Sequence, residues 1–266
     1  MSAIDAEVRR FAEEPNCELS EPLPPEARVQ TPQFCIGMAG ARTQSTVSRV
    51  RTTLARLDGT IAEVRAVLRA HGYTGVTWFV GPSCEPHGLT DLLLARGFVR
   101  ATEPPFEPQA EAMALVQTPP PPPDGVEARL CRDYDEYLEA LRIAMVTFDV
   151  PEEGVAGWMA AAPALWPQQD GINRMTLIAH IEGRPAGFGF AAGGPRGLLM
   201  CGSGVLAEAR GRGAYRALVA ARWKIAFGLK TPALVIHAGA MSLPVVERCG
   251  FERVCRIEVL VDPEIR

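Results

Sequence analysis

The stretch Val205-Leu206-Ala207-Glu208-Ala209-Arg210-Gly211-Arg212-Gly213-Ala214-Tyr215 decides how the second half of this chain folds. An apolar run precedes it, and the segment that follows carries apolar side chains at helical spacing. These helix positions are Leu218, Ala221, Ile225 and Leu229. The pattern predicts a strand that ends near Leu206, a turn that contains two glycines, and a helix that begins at Ala214.

This turn has the chemistry of a phosphate site. The first turn of a helix leaves backbone N–H groups without partners and carries partial positive charge, so it attracts phosphate. Gly211 and Gly213 let the backbone turn tightly and approach an anion closely. Arg210 and Arg212 add positive charge at the same place. A solvated turn rich in arginine and glycine is the alternative, and the pattern alone leaves it open.

Two other phosphate-binding motifs do not fit the stretch. A P-loop needs a lysine followed by serine or threonine after its glycines, and neither is present. A dinucleotide fingerprint needs a third glycine where Arg216 stands, inside a parallel βαβ unit. Both nucleotide motifs are therefore excluded.

In its context the stretch resembles the signature of the GNAT superfamily of N-acetyltransferases. The Arg/Gln-x-x-Gly-x-Gly/Ala pattern maps to Arg210, Gly213 and Tyr215, where Tyr215 replaces the usual small residue. The upstream Val-x-x-x-x-Arg portion maps to Val205 and Arg210. The later segment from Leu234 through Phe251 looks like the second conserved block of the family, so the resemblance covers residues 125 to 262.

The resemblance implies a site for acetyl-coenzyme A as cosubstrate. The backbone amides of Gly211, Arg212, Gly213, Ala214 and Tyr215 would hold the pyrophosphate, beside Arg210. The pantetheine arm would lie between the strand that ends at Val205 and Leu206 and the strand 233–238. Ser242 would pack near the thiol. A backbone amide within residues 203–205 would polarise the thioester carbonyl for direct attack by an amine.

The residues that would move protons depart from the family pattern. Val246 stands where superfamily members often carry a tyrosine acid, and Gly239 stands where they often carry asparagine. Ser203 and His237 remain as catalytic candidates: Ser203 could hydrogen-bond the acceptor or relay a proton, and His237 could act as acid or base. A histidine packed in the sheet is an equally good interpretation of His237.

The acceptor is expected to be a small-molecule or peptide amine. Residues 148–153 combine an aromatic side chain with carboxylates, and Trp158 and Trp166 follow, a composition that suits a cation. A helix cap with tryptophans in the core explains the same residues. The resemblance leaves open a homodimer, and also a non-catalytic acyl-coenzyme A-binding regulatory protein, because the usual tyrosine is absent.

Composition and net charge limit which classes of partner are expected for this protein. The 266 residues carry a formal net charge of -4, so a broad basic surface for nucleic acid is not expected. No apolar run is long enough to span a bilayer and the first residues lack a secretory core, which predicts a cytoplasmic protein. Seven scattered cysteines and four histidines show no metal-ligand spacing, so no metal is expected.

Five consecutive prolines, Pro119 to Pro123, predict a linker over residues 118–124 between two modules. The C-terminal module, residues 125–266, would be the GNAT acetyltransferase domain. The N-terminal module, residues 1–117, contains an echo of it, because Val76 to Phe98 resembles Ala233 to Phe251 in order of features. We therefore predict a degenerate GNAT-like N-terminal module without cofactor; an unrelated partner-binding domain is the alternative.

The predicted fold class is α+β, with a mixed, mostly antiparallel central sheet flanked by helices and duplicated in tandem. In the C-terminal module the predicted order is β-α-α-β-β-β-α-β-α-β, and its last strand would close that module. In the N-terminal module we expect an irregular start and helices over 45–57 and 61–70.

Overall fold

The computed structural model describes residues 4–22, 24–40, 44–102 and 106–265, with the exception of the side chain of Glu153. In the first half, up to the prolines, the helices are α1 (Ala6–Glu13), α2 (Pro15–Glu18), α3 (Leu57–Ala70) and α4 (Leu89–Leu94). The strands there are β1 (Ala27–Gln30), β2 (Cys35–Met38), β3 (Ser45–Ser48), β4 (Thr77–Val80), β5 (Val99–Arg100) and β6 (Gln109–Leu115).

After the prolines, the helices are α5 (Tyr134–Thr147), α6 (Glu152–Leu165), α7 (Ala214–Gly228) and α8 (Leu243–Arg248). The strands are β7 (Val126–Leu130), β8 (Met175–Ile181), β9 (Arg184–Gly194), β10 (Gly197–Val205), β11 (Leu234–Ala238) and β12 (Glu252–Val261). Short 3-10 turns cover Leu54–Arg56, Trp166–Gln168 and Ala207–Ala209.

Contacts divide the chain into two compact units whose segments interleave. The N-terminal unit comprises residues 9–113, 237–244 and 253–265. The C-terminal unit comprises residues 4–8, 114–236 and 245–252. The domain boundary at residues 118–124 stays a prediction, since the units exchange segments across it.

The N-terminal unit is built on a mixed sheet. β2 pairs antiparallel with β1 and β3, and β3 runs parallel to β4. β12 pairs antiparallel with β4 on one side and with the short strand β5 on the other. In the strand order of the sheet, β6 is the neighbour of β12 on the side opposite β4. The core has the fully buried Trp78 at its centre, with its ring edge-on to Phe98 at 5.2 Å between centroids. α3 adds buried side chains at helical spacing: Leu57, Ile61, Val64 and Leu68.

Two expectations for the first half of the chain were wrong. The helix predicted over 45–57 is the strand β3 followed by a 3-10 turn, because β-branched residues such as Val47 and Val50 favour a strand, and both are buried. The irregular start contains α1, where Asp5 Oδ1 accepts a hydrogen bond from Val8 N at 2.8 Å. The signal for that helix was an aspartate cap ahead of an amphipathic run.

The C-terminal unit contains a four-stranded antiparallel meander, β7-β8-β9-β10, and β11 pairs parallel with β10 after α7. Every residue of β8 is buried because helices cover both faces of this sheet. α5 packs Ala140, Ile143 and Ala144 against Phe188, which is fully buried. α7 packs on the other face, where its Arg222 donates to the carbonyl oxygens of Phe190 in β9 and Gly202 in β10.

The predicted order of elements in this unit is confirmed as far as β11 and α8, and α7 begins at Ala214 as predicted. Asp133 caps α5, since its carboxylate accepts from Glu136 N at 2.9 Å. The predicted apolar face of α7 was wrong in part. Leu218 is buried, but Leu229 is exposed, and the buried face turns instead toward Arg222 and Trp223.

The internal echo takes the same local form twice. Each copy is a strand, a loop, a short helix and a Gly-Phe pair. Gly97 and Gly250 both adopt a positive φ, of 87° and 96°, at the end of their helices. Phe98 N donates to Leu93 O at 3.2 Å, and Phe251 N donates to Val246 O at 3.2 Å. The equivalence at atomic level supports the tandem duplication that the sequence predicted.

The last strand, β12, does not close the C-terminal meander as expected. Its residues Glu258 to Val261 pair antiparallel with Val80 to Thr77 of β4. The side chain of Asp262 follows the strand, is fully buried, and receives hydrogen bonds from Arg65 of α3 at 2.7 and 2.9 Å. The N-terminal unit is therefore completed by the segment of the chain that is made last among those described.

Glu136 gives the C-terminal unit a defined sensitivity to acid. Its carboxylate accepts from the guanidinium groups of Arg129, at 2.9 Å, and Arg132, at 2.7 Å, and from Arg132 N. The hydrogen bond from Arg129 leads these effects and lowers the pKa of Glu136 to about 2, below the value of about 4.3 for an unfolded chain. The stabilisation is present above pH 4.3 and is lost as the pH falls toward 2.

We expect Glu136→Gln to lower the free energy of unfolding at pH 7 and to flatten its decline between pH 5 and pH 2, because the titrating carboxylate is gone. Urea denaturation at a series of pH values measures both effects. Glu139→Gln, in an exposed ion pair on the same helix, is the matched control. Parallel pH curves for Glu136→Gln and the unaltered protein would contradict the prediction.

Candidate functional site

The central strand of the C-terminal unit, β10, opens one of its edges. It pairs with β11 only through Leu198↔Leu234 and Leu199↔Val235 in the described part of the chain. A β-bulge between Met200 and Gly202 follows, and residues 202–205 then continue their pairing with β9 alone. The strand pair therefore separates at the place where the sequence predicted the cofactor arm to lie.

The direction of the amides along this edge follows from strand geometry. Leu206 N donates to Ala186 O at 3.0 Å, so it points toward β9. Amides alternate in direction along a strand, which turns the N–H groups of Val205 and Ser203 away from β9 and toward the open edge. Two backbone donors, the N–H groups of Ser203 and Val205, thus point the same way along the open edge. Among the described residues, no strand pairs with them there.

The glycine turn leads from this edge into α7. Gly213 is the residue before the helix, at φ 95°, and Gly211 has φ 75°, conformations that favour glycine. No side chain caps the helix, and its first turn holds no acidic residue. Ala217 N bonds back to Gly213 O at 3.0 Å, so the amides of residues 214–216 precede the first intrahelical bond. This end of α7 has the features that the sequence analysis expected of an anion site, and the site stays a prediction.

The side chains beside the turn differ in solvent exposure and in the contacts that they already make. Arg210 is exposed and its Nε donates to Val205 O at 3.3 Å. Arg212 is exposed and lies 3.5 Å from Glu182 in a loose ion pair. Tyr215 is half-buried, and the loss of hydration raises the pKa of its phenol to about 12, so the phenol stays protonated at neutral pH.

Ser203 sits over a buried arginine. Its Oγ accepts a hydrogen bond from Arg222 Nη2 at 2.8 Å, and the same nitrogen donates to Phe190 O at 3.1 Å and Gly202 O at 3.2 Å. Arg222 belongs to α7 and has no exposed surface. Any side chain at Gly189 would overlap the guanidinium, so this glycine makes room for it. Loss of hydration lowers the pKa of Arg222 to about 10, which leaves it charged at neutral pH.

The opposite face of β10 meets the end of α5. Phe148 lies against Gly202, where a Cβ would be tight at 3.2 Å from the ring, and Thr147 lies against Gly204, where a Cβ would overlap its side chain. The Phe148 ring stands edge-on to Phe188 at 5.2 Å, yet 43% of the residue is exposed. Asp149, which follows, is exposed and has a positive φ of 50°. An accessible aromatic ring and a carboxylate therefore stand beside the strand that carries the free amides.

The two tryptophans singled out by the sequence pack inside aromatic clusters. Trp158 lies 6.4 Å from Phe190, and Trp166 lies 5.3 Å from Tyr137, measured between ring centroids. Both are half-buried. These contacts fit the core interpretation of the tryptophans, whereas the side chain of Glu153 lies outside the described part.

His237 and Ser242 belong to the N-terminal unit by their contacts. The Nε2 atom of His237 lies 2.9 Å from Ala12 O, and the ring lies 5.6 Å from that of Phe79. Burial lowers the pKa of His237, which keeps the ring neutral. Ser242 Oγ donates to Gly239 O at 3.2 Å. The contacts of His237 favour the packed interpretation, and the catalytic role of His237 and the binding role of Ser242 stay predictions.

Gly239 and Val246 stand at the two positions where the sequence departs from the pattern that it resembles. A side chain at Gly239 would meet Glu107, whose Oε2 accepts a hydrogen bond from Ala240 N at 2.9 Å. Val246 is fully buried, so this position faces the core and a hydroxyl here would not reach solvent. Neither position offers a proton donor.

Arg222 is the residue that the sequence interpretation missed. The signal was available: Leu218, Arg222 and Ala226 follow one another at a spacing of four residues and are all buried. A charged residue on the buried stripe of a helix needs polar partners, and here they are two strand carbonyls and Ser203. The β-bulge at Cys201, by contrast, has no signal in the sequence; at this bulge Cys201 is exposed, while Ser203 is half-buried.

Comparison with solved structures places the fold. A GCN5-related N-acetyltransferase from Kribbella flavida is similar over 96% of this chain and 95% of its own, with a TM-score of 0.69 and 17% identity. One from Sphaerobacter thermophilus is similar over 86% of this chain and 76% of its own (TM-score 0.58, 17% identity). A tandem GNAT protein from the clavulanic acid biosynthesis pathway covers 86% and 78% (TM-score 0.57, 17% identity).

No family model and no curated protein sequence match this chain. At 17% identity the likeness shows the fold. The protein therefore has the GNAT fold in tandem form, which confirms the resemblance first drawn from residues 205–215 and the predicted α+β class.

Within the described ranges, no group of three or more His, Cys, Asp or Glu side chains is placed to hold a metal ion. None of the helices in the same ranges is both long enough and apolar enough to cross a membrane.

Proposed function

We propose that this protein is an N-acetyltransferase that moves the acetyl group of acetyl-coenzyme A to a primary amine by direct attack. One observation carries the proposal: the open edge of β10 leads, through the glycine turn at 210–213, into an uncapped helix start without acidic residues. The GNAT fold supports the same assignment. The protein is expected to act in the cytoplasm, with no metal.

The parts of the cosubstrate match the chemistry of successive segments. The pyrophosphate would bind the amides at the start of α7, with Arg210 and Arg212 as charged neighbours. The pantetheine arm would follow the open edge of β10, where Val205 and Leu206 end the strand. The amides of Ser203 and Val205 would donate to the thioester carbonyl, as donors in an oxyanion hole do.

Calorimetry with acetyl-coenzyme A tests the first half of the proposal, and thiol release with a panel of primary amines tests the second. We expect saturable binding and release of coenzyme A with at least one amine. A lack of binding would refute the assignment. Binding without release across the panel would favour a non-catalytic acyl-coenzyme A-binding protein, the alternative that the buried Val246 keeps in view.

The acceptor would approach across Phe148 and Asp149. The ring is 43% exposed beside Gly202, and an amine with an apolar body would gain both the ring face and the carboxylate. We expect Phe148→Ala to raise KM several-fold for the amine that turns over fastest, since a contact of about 1 kcal/mol is lost. KM for acetyl-coenzyme A should stay unchanged. Steady-state kinetics with each substrate varied in turn measures both values, and an unaltered amine KM would exclude Phe148 from the acceptor site.

A further inference from the structure

Arg222 is a buried positive charge that the family signature does not include. It has no exposed surface, and no carboxylate pairs with it among the described residues. Its Nη2 donates to Ser203 Oγ, Phe190 O and Gly202 O, while Nε and Nη1 have no hydrogen-bond partner among the described residues. A cation held in this way is costly to bury.

The position of the guanidinium is fixed by the strands above it. Gly189 faces Ser203 across the β9–β10 ladder and provides the space that the guanidinium fills. Phe190 and Gly202 form the first strand pair after the bulge, and Arg222 donates a hydrogen bond to the carbonyl oxygen of each. The arginine therefore stabilises the bulge that separates β10 from β11.

Ser203 is oriented by this contact. Because its oxygen accepts from a cationic donor, its own O–H points away from the guanidinium. In the described part of the chain no acceptor for that O–H is present, although Ser203 is half-buried. The backbone N–H of the same residue faces the open edge of β10. The hydroxyl thus belongs to the residue that also supplies one of the two amides proposed to polarise the thioester.

We propose that Arg222 and Ser203 act together as a third, charge-backed donor to the acyl carbonyl of the bound thioester. Ser203 makes the contact, and Arg222 is the positioning residue behind it. This inference rests on the proposed acetyl transfer and adds a group to its machinery.

The chemistry of the step is balanced without a proton transfer by Ser203. The amine nitrogen forms a bond to the carbonyl carbon while an electron pair moves onto the carbonyl oxygen, where Ser203 and the two amides meet the negative charge. The pair returns, the C–S bond breaks, and sulfur leaves as thiolate. One proton leaves the nitrogen and one reaches the sulfur through solvent. The buried cation lowers the energy of the intermediate because it is fixed before the charge develops.

Isotope-edited infrared spectroscopy of [1-13C]acetyl-coenzyme A bound to the full chain measures the polarisation directly. We expect the carbonyl stretch to fall to lower frequency in the unaltered protein. Ser203→Ala and Arg222→Met should each return it toward the free value, and Arg222→Lys should retain part of the shift. Lys224→Met, which removes an exposed charge from the same helix, should match the unaltered protein.

Turnover provides the second readout. Ser203→Ala should lower kcat about a hundredfold, as removal of one oxyanion donor does, with little change in acetyl-coenzyme A affinity by calorimetry. Combining it with Arg222→Met should lower kcat no further, because both changes disable one donor. Ser203→Ala removes only a hydroxyl, so it tests the inference even where Arg222→Met disturbs folding.

Two results would overturn the inference while leaving the proposed function intact: an unshifted carbonyl frequency in Ser203→Ala, or losses in kcat that multiply in the double variant. Failure of the unaltered protein to bind acetyl-coenzyme A would instead remove the proposed function, and the donor pair with it.

Discussion

A chain carrying Gly213→Glu will show no measurable binding of acetyl-coenzyme A. Gly213 has φ 95°, a conformation that strains any other residue by about 1–2 kcal/mol. A Cβ here would also lie 2.5 Å from Pro123 Cδ, so the turn has to move. The added carboxylate would stand at the start of α7, where the pyrophosphate needs positive potential.

Substitutions at the neighbouring glycine, Gly211, distinguish the effect of charge on binding from the effect of backbone strain. Gly211 has φ 75°, but nothing lies within 4 Å of the place where its Cβ would stand. Gly211→Glu and Gly211→Lys therefore carry the same backbone strain and opposite charges. We expect the glutamate variant to bind acetyl-coenzyme A at least about tenfold more weakly than the lysine variant, since a charge near a helix start is worth about 1 kcal/mol or more.

Calorimetry and circular dichroism together read the outcome. Gly72→Glu is the control for backbone strain, because Gly72 has φ 72°, open space around it, and lies in the N-terminal unit. It should bind as the unaltered protein does. Retained affinity in Gly213→Glu, or equal affinity in the two Gly211 variants, would show that the pyrophosphate does not lie at this turn.

The second large effect concerns stability. We expect Asp262→Ala to lower the free energy of unfolding by about 3 kcal/mol, because it removes a fully buried carboxylate and leaves the mostly buried Arg65 paired with the exposed Glu264. The pair joins α3 to the end of β12 through two hydrogen bonds of 2.7 and 2.9 Å. Guanidinium denaturation measures the loss.

Hydrogen exchange locates that loss. Amides of β4 and β12 should exchange faster in Asp262→Ala, since these strands pair with one another. Asp58→Ala removes an exposed partner of Arg96 and should leave the free energy of unfolding nearly unchanged. Uniform acceleration over the whole chain, or a free energy equal to that of Asp58→Ala, would contradict the role given to Asp262.

The C-terminal meander could be predicted from the sequence because its elements are locally determined. Met175 to Ile181 is a continuous apolar run bounded by turn residues, and Asp133 supplies a cap where α5 begins. The glycine turn at 211–213 was equally informative, because glycine reports a backbone conformation directly.

The remaining features depend on partners that are distant in sequence. The strand β3 is decided by its neighbours β2 and β4, so local spacing favoured a helix over the same residues. The pairing of β12 with β4 joins residues 178 to 184 positions apart, and the sequence of β12 alone does not indicate which strand it pairs with. Arg222 belongs to the site only because a bulge, 20 residues earlier, presents Gly202 O to it.

The place of β12 has a consequence for biosynthesis. The ribosome releases the N-terminal half first, yet that half lacks the strand that pairs with β4 until Val261 has emerged. The edge of β4 therefore stays unpaired throughout synthesis of the meander, and an unpaired strand edge invites association with other chains. A nascent chain that stalls after α7 would expose this edge for as long as the stall lasts.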